Sequence, residues 1–451
     1  MPSFQLVFQF ILGLGPYFSA AIALALFAGL FLPWGVMHPQ KWLFFYIFGI
    51  ALLPFGGGGA DGSGSLYKQL TWGVLYLLCL IIIIRSRKDI NAPKLRIPPE
   101  LLLLYGYVLI SIAWSDYQVS SLKRYTLLIG LMLIAIISCR RALQEQSFTS
   151  LVEKPLAFFM LCGAIFAVAS PGLAFDADGA LRALTSHKNT WGQFMLFCSL
   201  VFFVNIMNHK RVALNIPLLV AALALLYLSK SATSLLAFLL STCFVLTVHI
   251  LVSKNAAGKI ILLLITLTAS VAFLVYCVLH GKMPFEALID LIFTSMDKSS
   301  TLTGRTQLWE FMEAEIIRHP WFGTGYGGFW VGLDGPAGAL VRRLDWGPPT
   351  QAHSGYIDGL NEIGIIGMLI FSYLIATHIY RCFRLYSIGM FSHFVLHSAI
   401  AISFLVKDYA ESSLIQGTHL WWIIMTCSIL EVSNRLRLQP APTKLPRQNI
   451  S

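Results

Sequence analysis

Long apolar runs separated by short polar stretches repeat along this 451-residue chain. A helix needs about 20 apolar residues to cross the roughly 30 Å hydrocarbon layer of a bilayer. Runs of that kind fall at about 17–36, 41–55, 67–84, 100–115, 122–139, 154–170, 190–207, 213–229, 232–252, 259–279, 354–380, 388–406 and 416–430. The pattern predicts an all-α polytopic membrane protein with about 12–14 transmembrane helices and one long polar excursion before the last of them. Four regions follow: transmembrane helices over 1–280, a loop with an amphipathic helix over 281–352, transmembrane helices over 353–430, and a basic tail over 431–451. Pro16 splits the first apolar stretch.

Composition excludes a soluble alternative. Charged residues make up 12% of the chain and hydrophobic ones 57%, with mean hydropathy +0.73, whereas soluble domains carry about 25% charge. The apolar N-terminus has no basic leader and no small-residue cleavage pattern, so it reads as part of the mature chain. The eight cysteines stand singly in or beside apolar runs without a CxxC pair, which points to neither a disulfide framework nor a zinc site.

Charge then orients the bundle. Basic clusters at 85–96, 140–141, 210–211, 254–259, 381–384 and 435–447 alternate strictly with the loops 56–65, 114–121, 171–189, 228–233, 281–352 and 407–413. By the positive-inside rule the first set is cytoplasmic and the second lies outside the cytoplasm. The net charge of +11 therefore reads as topology and contact with membrane lipids rather than nucleic-acid binding.

Cations on the outer face run against that bias: Lys188, Lys230, Arg305, Arg318, Arg342, Arg343 and Lys407. One alone could be a snorkelling side chain; several converging on a cavity would hold an anion. Thr303-Gly304-Arg305 opens an amphipathic stretch to Arg318, with Leu308, Phe311, Met312 and Ile316 at helical spacing and Arg305 at the anion-favouring helix start. The following His319 to Trp330 interleaves glycines with aromatics, including Tyr326 and Trp330, as either a sugar-stacking surface or a packed aromatic loop. Ala352-His353-Ser354-Gly355-Tyr356 leads into an apolar run containing Glu362, Gly364 and Gly367. His353 there is a proton acceptor or a capping residue. Two polar islands complete the set: Ser186-His187-Lys188-Asn189-Thr190-Trp191-Gly192, and Ser229 to Ser234 around Lys230. Asp176-Ala177-Asp178 is a short acidic turn that also has the form of a weak metal-binding pair. The polar clusters legible in the sequence lie on the outer face, which argues against a transporter with a route to both sides.

Together, Gly304-Arg305 with Trp309, His319-Pro320 with Gly323-Thr324-Gly325-Tyr326-Gly327 and Phe329-Trp330, and Ala352-His353 with Tyr356, Glu362, Gly364 and Gly367 resemble the superfamily of O-antigen ligases and of O-antigen and exopolysaccharide polymerases. The stretch 186–192 looks most like the exopolysaccharide-production polymerase branch. The resemblance implies a GT-C-type glycosyltransferase of the bacterial inner membrane, active on the periplasmic face without metal or nucleotide sugar. Its implied donor is an undecaprenyl-diphosphate-linked oligosaccharide. The acceptor is a second lipid-linked glycan for a polymerase, which is preferred, or lipid A core for a ligase; a lipid-linked sugar transporter ranks below both. Arg305 and His353 match the family's catalytic arginine and histidine. Lys188, Lys230, His187, Asn189, Arg318, Tyr326 and Trp330 are the implied diphosphate or sugar contacts, with Lys230 or Lys188 standing in for a further family arginine absent here. A chain-length regulator protein is a further implied partner.

Overall fold

The computed structural model describes residues 39–52, 66–86, 93–145, 147–252, 305–332, 335–338 and 350–439, with a few positions between 256 and 268. Its helices are α1 (Pro39–Leu52), α2 (Leu66–Ser86), α3 (Pro99–Ser111), α4 (Gln118–Gln144), α5 (Phe148–Ala169), α6 (Lys188–Met207), α7 (Val212–Leu228), α8 (Ala232–Val252), α9 (Arg305–Arg318), α10 (Gly355–Ser387), α11 (Phe391–Asp408) and α12 (Leu420–Leu438). No strand occurs among the described residues; an isolated bridge joins Phe175 and Leu181. The predicted spans at 17–36 and most of 259–279 lie outside the described residues, as do Arg342 and Arg343.

Helices satisfy their backbone groups internally, which lipid demands of any spanning segment. α4, α5, α6, α8 and α10 are long and apolar enough to cross a membrane, and α1, α2, α3 and α7 hold shorter apolar stretches. The protein is an all-α, multi-pass membrane protein. Apolar side chains such as Ile165, Val168, Val220 and Leu369 stand exposed on the outside of the bundle, as lipid-facing positions must.

Between helices, lipid supplies no hydrophobic drive, so small residues that permit close approach do the packing. α6, largely buried, packs against α5, α7, α8 and α11. A methyl group on Gly163 of α5 would come within 2.1 Å of the buried Trp191 ring of α6. α12 packs on α4, α10 and α11. It also runs eight residues past the expected tail boundary at 430, because Glu431, Asn434 and Arg435 are buried and bonded within the bundle. The amphipathic α9 lies against α10 and buries Leu308 and Met312, one turn apart, with Phe329 and Trp330.

Candidate functional site

α10 is broken near its start, and the break explains two of the sequence motifs at once. Gly364 has φ 63° and ψ −173°, far from helical values, a conformation that glycine reaches without steric cost. Two helical hydrogen bonds, from Ile365 and Ile366 back to Asn361 and Glu362, are thereby lost. The loop after α9 replaces them. Ile365 and Ile366 N–H donate to the carbonyls of Pro320 (2.8 Å) and Trp321 (3.1 Å), while Thr324 and Gly325 N–H donate to those of Asn361 (2.8 Å) and Glu362 (3.0 Å). The Tyr107 hydroxyl donates to the Ile363 carbonyl at 2.9 Å. Buried backbone polar groups must be paired, so the His319 to Gly327 loop and the Glu362 to Gly367 segment form one unit.

Asp358, one turn into α10 and buried, gathers the surrounding loops. Its Oδ1 accepts from Trp330 Nε1 at 2.8 Å and from Ala352 N–H at 3.0 Å, and its Oδ2 from Ser412 Oγ at 2.5 Å. The Ala352 carbonyl accepts from Trp309 Nε1 of α9 at 2.8 Å. The residue before His353 is thus held on both sides. His353 itself has φ 53°, in the left-handed region, which a side-chain-bearing residue occupies only when its surroundings impose it. It is half-buried, with Nδ1 accepting from Gln351 Nε2 at 3.3 Å.

The connection between α11 and α12 joins this region to the 186–192 stretch. Glu411 accepts from Asn189 Nδ2 through its side chain and from Gly355 N–H (3.2 Å) through its carbonyl. A methyl group on Gly192 would come within 2.4 Å of Ser231 Cβ, so that stretch also abuts the Ser229 to Ser234 island. His187 caps α6, its Nδ1 accepting from Asn189 N–H at 3.2 Å.

The candidate cations fare differently. Lys188 reaches Asp176 and Asp178 at 3.3 and 2.9 Å, so the acidic turn carries a lysine counter-ion. Burial alone would raise the Asp176 carboxyl, but the Ala180 N–H, Lys188 and the Asp178 N–H outweigh it and hold it below the usual carboxylate range. Lys230, φ 50°, donates to the Asp178 carbonyl at 3.0 Å, so both lysines meet the same turn. Lys407, one of the cations assigned to the outer face, is fully buried against Asp408 (3.0 Å) and Ser413 (2.7 Å), with its charge over the Phe404 and Trp421 rings. A buried lysine is stable only when paired in this way. Arg318 pairs with Glu315 on its own helix, its side chain 66% exposed. Arg305 begins α9, and its side chain lies outside the described residues.

Of the two aromatic candidates, Trp330 is packed against Phe329 with its indole N–H bonded to Asp358, and Tyr326 is buried with its hydroxyl donating to the Ile415 carbonyl at 2.7 Å. Burial pushes that hydroxyl's pKa well up. Both therefore hold loops together, the packed alternative of the sequence reading.

Sequence reasoning missed Arg124. Its Nη2 donates to the Trp330 carbonyl at 2.6 Å, its Nη1 lies 3.4 Å from Glu362, and Gly327 closes over its stem, since a methyl there would come within 2.5 Å of Arg124 Cδ. It too is a cation at the outer-loop end of its helix, which is the signal that could have found it. Asp358 was legible only as an acid in the first turn of an apolar helix.

Comparison with known proteins bears on the same residues. Residues 217–372, which include Lys230, α9, His353, Asp358 and the kink, match the family described as O-Antigen ligase. The chain is 30% identical over 164 residues to the exopolysaccharide production protein ExoQ of Rhizobium meliloti (strain 1021), an alignment covering 35% of this chain and 35% of that protein. This segment is thus similar to the O-antigen ligase family, and the chain spans about a third of the length of the curated relative it matches.

Proposed function

We propose that this chain is a polysaccharide polymerase of the bacterial inner membrane, which transfers an oligosaccharide from undecaprenyl diphosphate to a second lipid-linked oligosaccharide on the periplasmic face. The observation that carries the reading is the double anchorage of Ala352, by Asp358 and by Trp309, beside His353. A base must be held in place against the hydroxyl it serves.

In the reaction the acceptor hydroxyl attacks the anomeric carbon of the donor. The new C–O bond forms as the bond to the diphosphate breaks, its electron pair leaves on undecaprenyl diphosphate, and the hydroxyl proton passes to His353. The incoming hydroxyl displaces the long contact from Gln351 to the imidazole Nδ1. Negative charge grows on the leaving diphosphate, where a fixed cation in a poorly hydrated site stabilises the transition state selectively. Arg305, at the positive end of α9, takes that role, and neither a metal ion nor a nucleotide sugar enters the scheme. Lys230 or Lys188 supplies a second contact.

Similarity to an exopolysaccharide production protein supports polymerisation, while the matched family's description supports ligation to lipid A core as the second reading. Purified protein incubated with a lipid-linked repeat unit as its sole sugar substrate separates them. A ladder of longer lipid-linked chains is expected. Transfer only after lipid A core is added would establish the ligase, and vesicle translocation of the lipid-linked sugar without a new glycosidic bond would replace both with a transporter.

A further inference from the structure

A second polar cluster, which the transfer scheme does not use, lies at the other end of α11 and α12. The sequence reading placed polar clusters on the outer face alone; the fold assembles this one from single residues dispersed in two apolar helices. His393 and His397 stand one turn apart on α11, rings 11° from parallel with centroids 6.2 Å apart, and both reach Glu431 of α12. At 1.5 Å per residue, the helix carries them roughly 16–22 Å from Asp408.

In one tautomer of His397 the hydrogen bonds around it leave a gap that a cation fills. Ser428 Oγ lies 2.8 Å from His397 Nδ1 and 3.2 Å from His378 Nε2. Its one proton can serve one of them. When it goes to His378, His397 Nδ1–H donates to Ser428, and the Nε2 lone pair faces Glu431 Oε2 at 3.6 Å. Both of these atoms are buried, and neither has a hydrogen-bond partner. Two acceptors held face to face in a low-dielectric interior repel unless a positive charge lies between them.

We infer that His393, His397 and Glu431 bind a divalent transition-metal ion of zinc's type, which braces α11 against α12. One ligand atom from each residue lies within 4.8 Å of the others. Zinc bonds of about 2.0–2.2 Å at a tetrahedral angle put ligand atoms about 3.4 Å apart, close to the 3.6 Å between His397 Nε2 and Glu431 Oε2. Glu431 Oε1 lies 3.6 Å from His393 Nδ1 and carries Arg435 at 2.9 Å, and Oε2, which faces His397, is the oxygen left for the ion. His393, with 11% of its side chain exposed, forms the rim where the ion enters and a water completes the coordination. The bond from His397 Nδ1 to Ser428 orients the ligand from behind, as outer partners of metal-binding histidines do.

The test uses the full chain in nanodiscs, stripped with a chelator and reloaded with Zn²⁺ or Co²⁺. About one ion per chain, a tetrahedral Co²⁺ absorption spectrum, and a Zn²⁺-dependent rise in unfolding temperature are expected. His397→Ala and the milder rim variant His393→Gln lose all three, Ser428→Ala weakens binding roughly 10–100-fold, and His319→Ala binds normally. Should His397→Ala not fold, His393→Gln carries the test alone. No bound ion in the native chain would overturn the inference and leave a proton as the occupant; binding unchanged in His393→Gln would overturn it in favour of adventitious metal elsewhere.

Discussion

Trp309 Nε1 donates to the carbonyl of Ala352 at 2.8 Å, so an indole on the amphipathic α9 holds the backbone that carries His353. Trp309→Phe keeps the ring contact with Tyr409 and loses the hydrogen bond, which costs about 1 kcal/mol of local stability. A base displaced by a fraction of an ångström loses catalytic advantage more than binding. The expected outcome is a fall in kcat of roughly 10-fold with donor KM unchanged, measured with purified protein. A rise in donor KM at constant kcat would place Trp309 in substrate binding instead.

His353→Ala and Arg305→Ala are expected to abolish sugar transfer while leaving a folded protein in the membrane. Lys230→Ala is expected to raise donor KM. Lys188→Ala acts first on the acidic turn, because it leaves Asp176 and Asp178 without their counter-ion. Product gels at matched expression, with size-exclusion profiles of each variant, check this. Normal polymer from the His353 variant would remove it from the chemistry.

Gly364→Ala tests the broken helix. Its φ of 63° disfavours any side chain, and the added methyl would come within 2.4 Å of the Trp321 carbonyl oxygen. A loss of at least about 1–3 kcal/mol is expected, seen as a lower unfolding temperature and early proteolysis of the 319–327 loop. Gly389→Ala, also at positive φ but in open space, should be milder.

Acid should loosen the 176–188 turn. Asp176 titrates below the usual carboxylate range in the folded chain, so its stabilising contribution is complete above the ordinary carboxylate pKa and disappears as pH falls through the lowered folded value. Protection of the Ala180 amide, which donates to Asp176 Oδ1 at 2.8 Å, is expected to fall in that acid range after correction for intrinsic exchange. Asp176→Asn should show weaker protection without the pH step.

Loop charge predicts that residues 281–352, 186–192 and 229–234 are periplasmic. Cysteines replacing Ser186 and Gly335, in a background without native cysteines, should react with an impermeant thiol reagent in intact spheroplasts. Labelling only after permeabilisation would overturn the topology and the proposed reaction with it.

The sequence by itself determined that the chain is a bundle of membrane helices. The length and apolarity of each run are local properties, and lipid leaves a helix as the simplest way to satisfy the backbone. It also marked His353, Lys188, Lys230 and the glycines around 325 and 364 as unusual for such a bundle. Which of these residues meet, and what each does there, was decided by tertiary structure alone. Trp330 and Tyr326 stand in a stretch that reads as a sugar platform or, more readily, as a packed loop, and the fold turns their polar atoms onto Asp358 and Ile415. The partners of Arg124, Asp358 and Ser412 carry no local signature, because a hydrogen bond between residues up to hundreds of positions apart leaves no spacing to read. The cluster of His393, His397 and Glu431 shows the same limit: an i, i+4 histidine pair is visible in the chain, but its partner on α12 becomes a neighbour only when the helices pack.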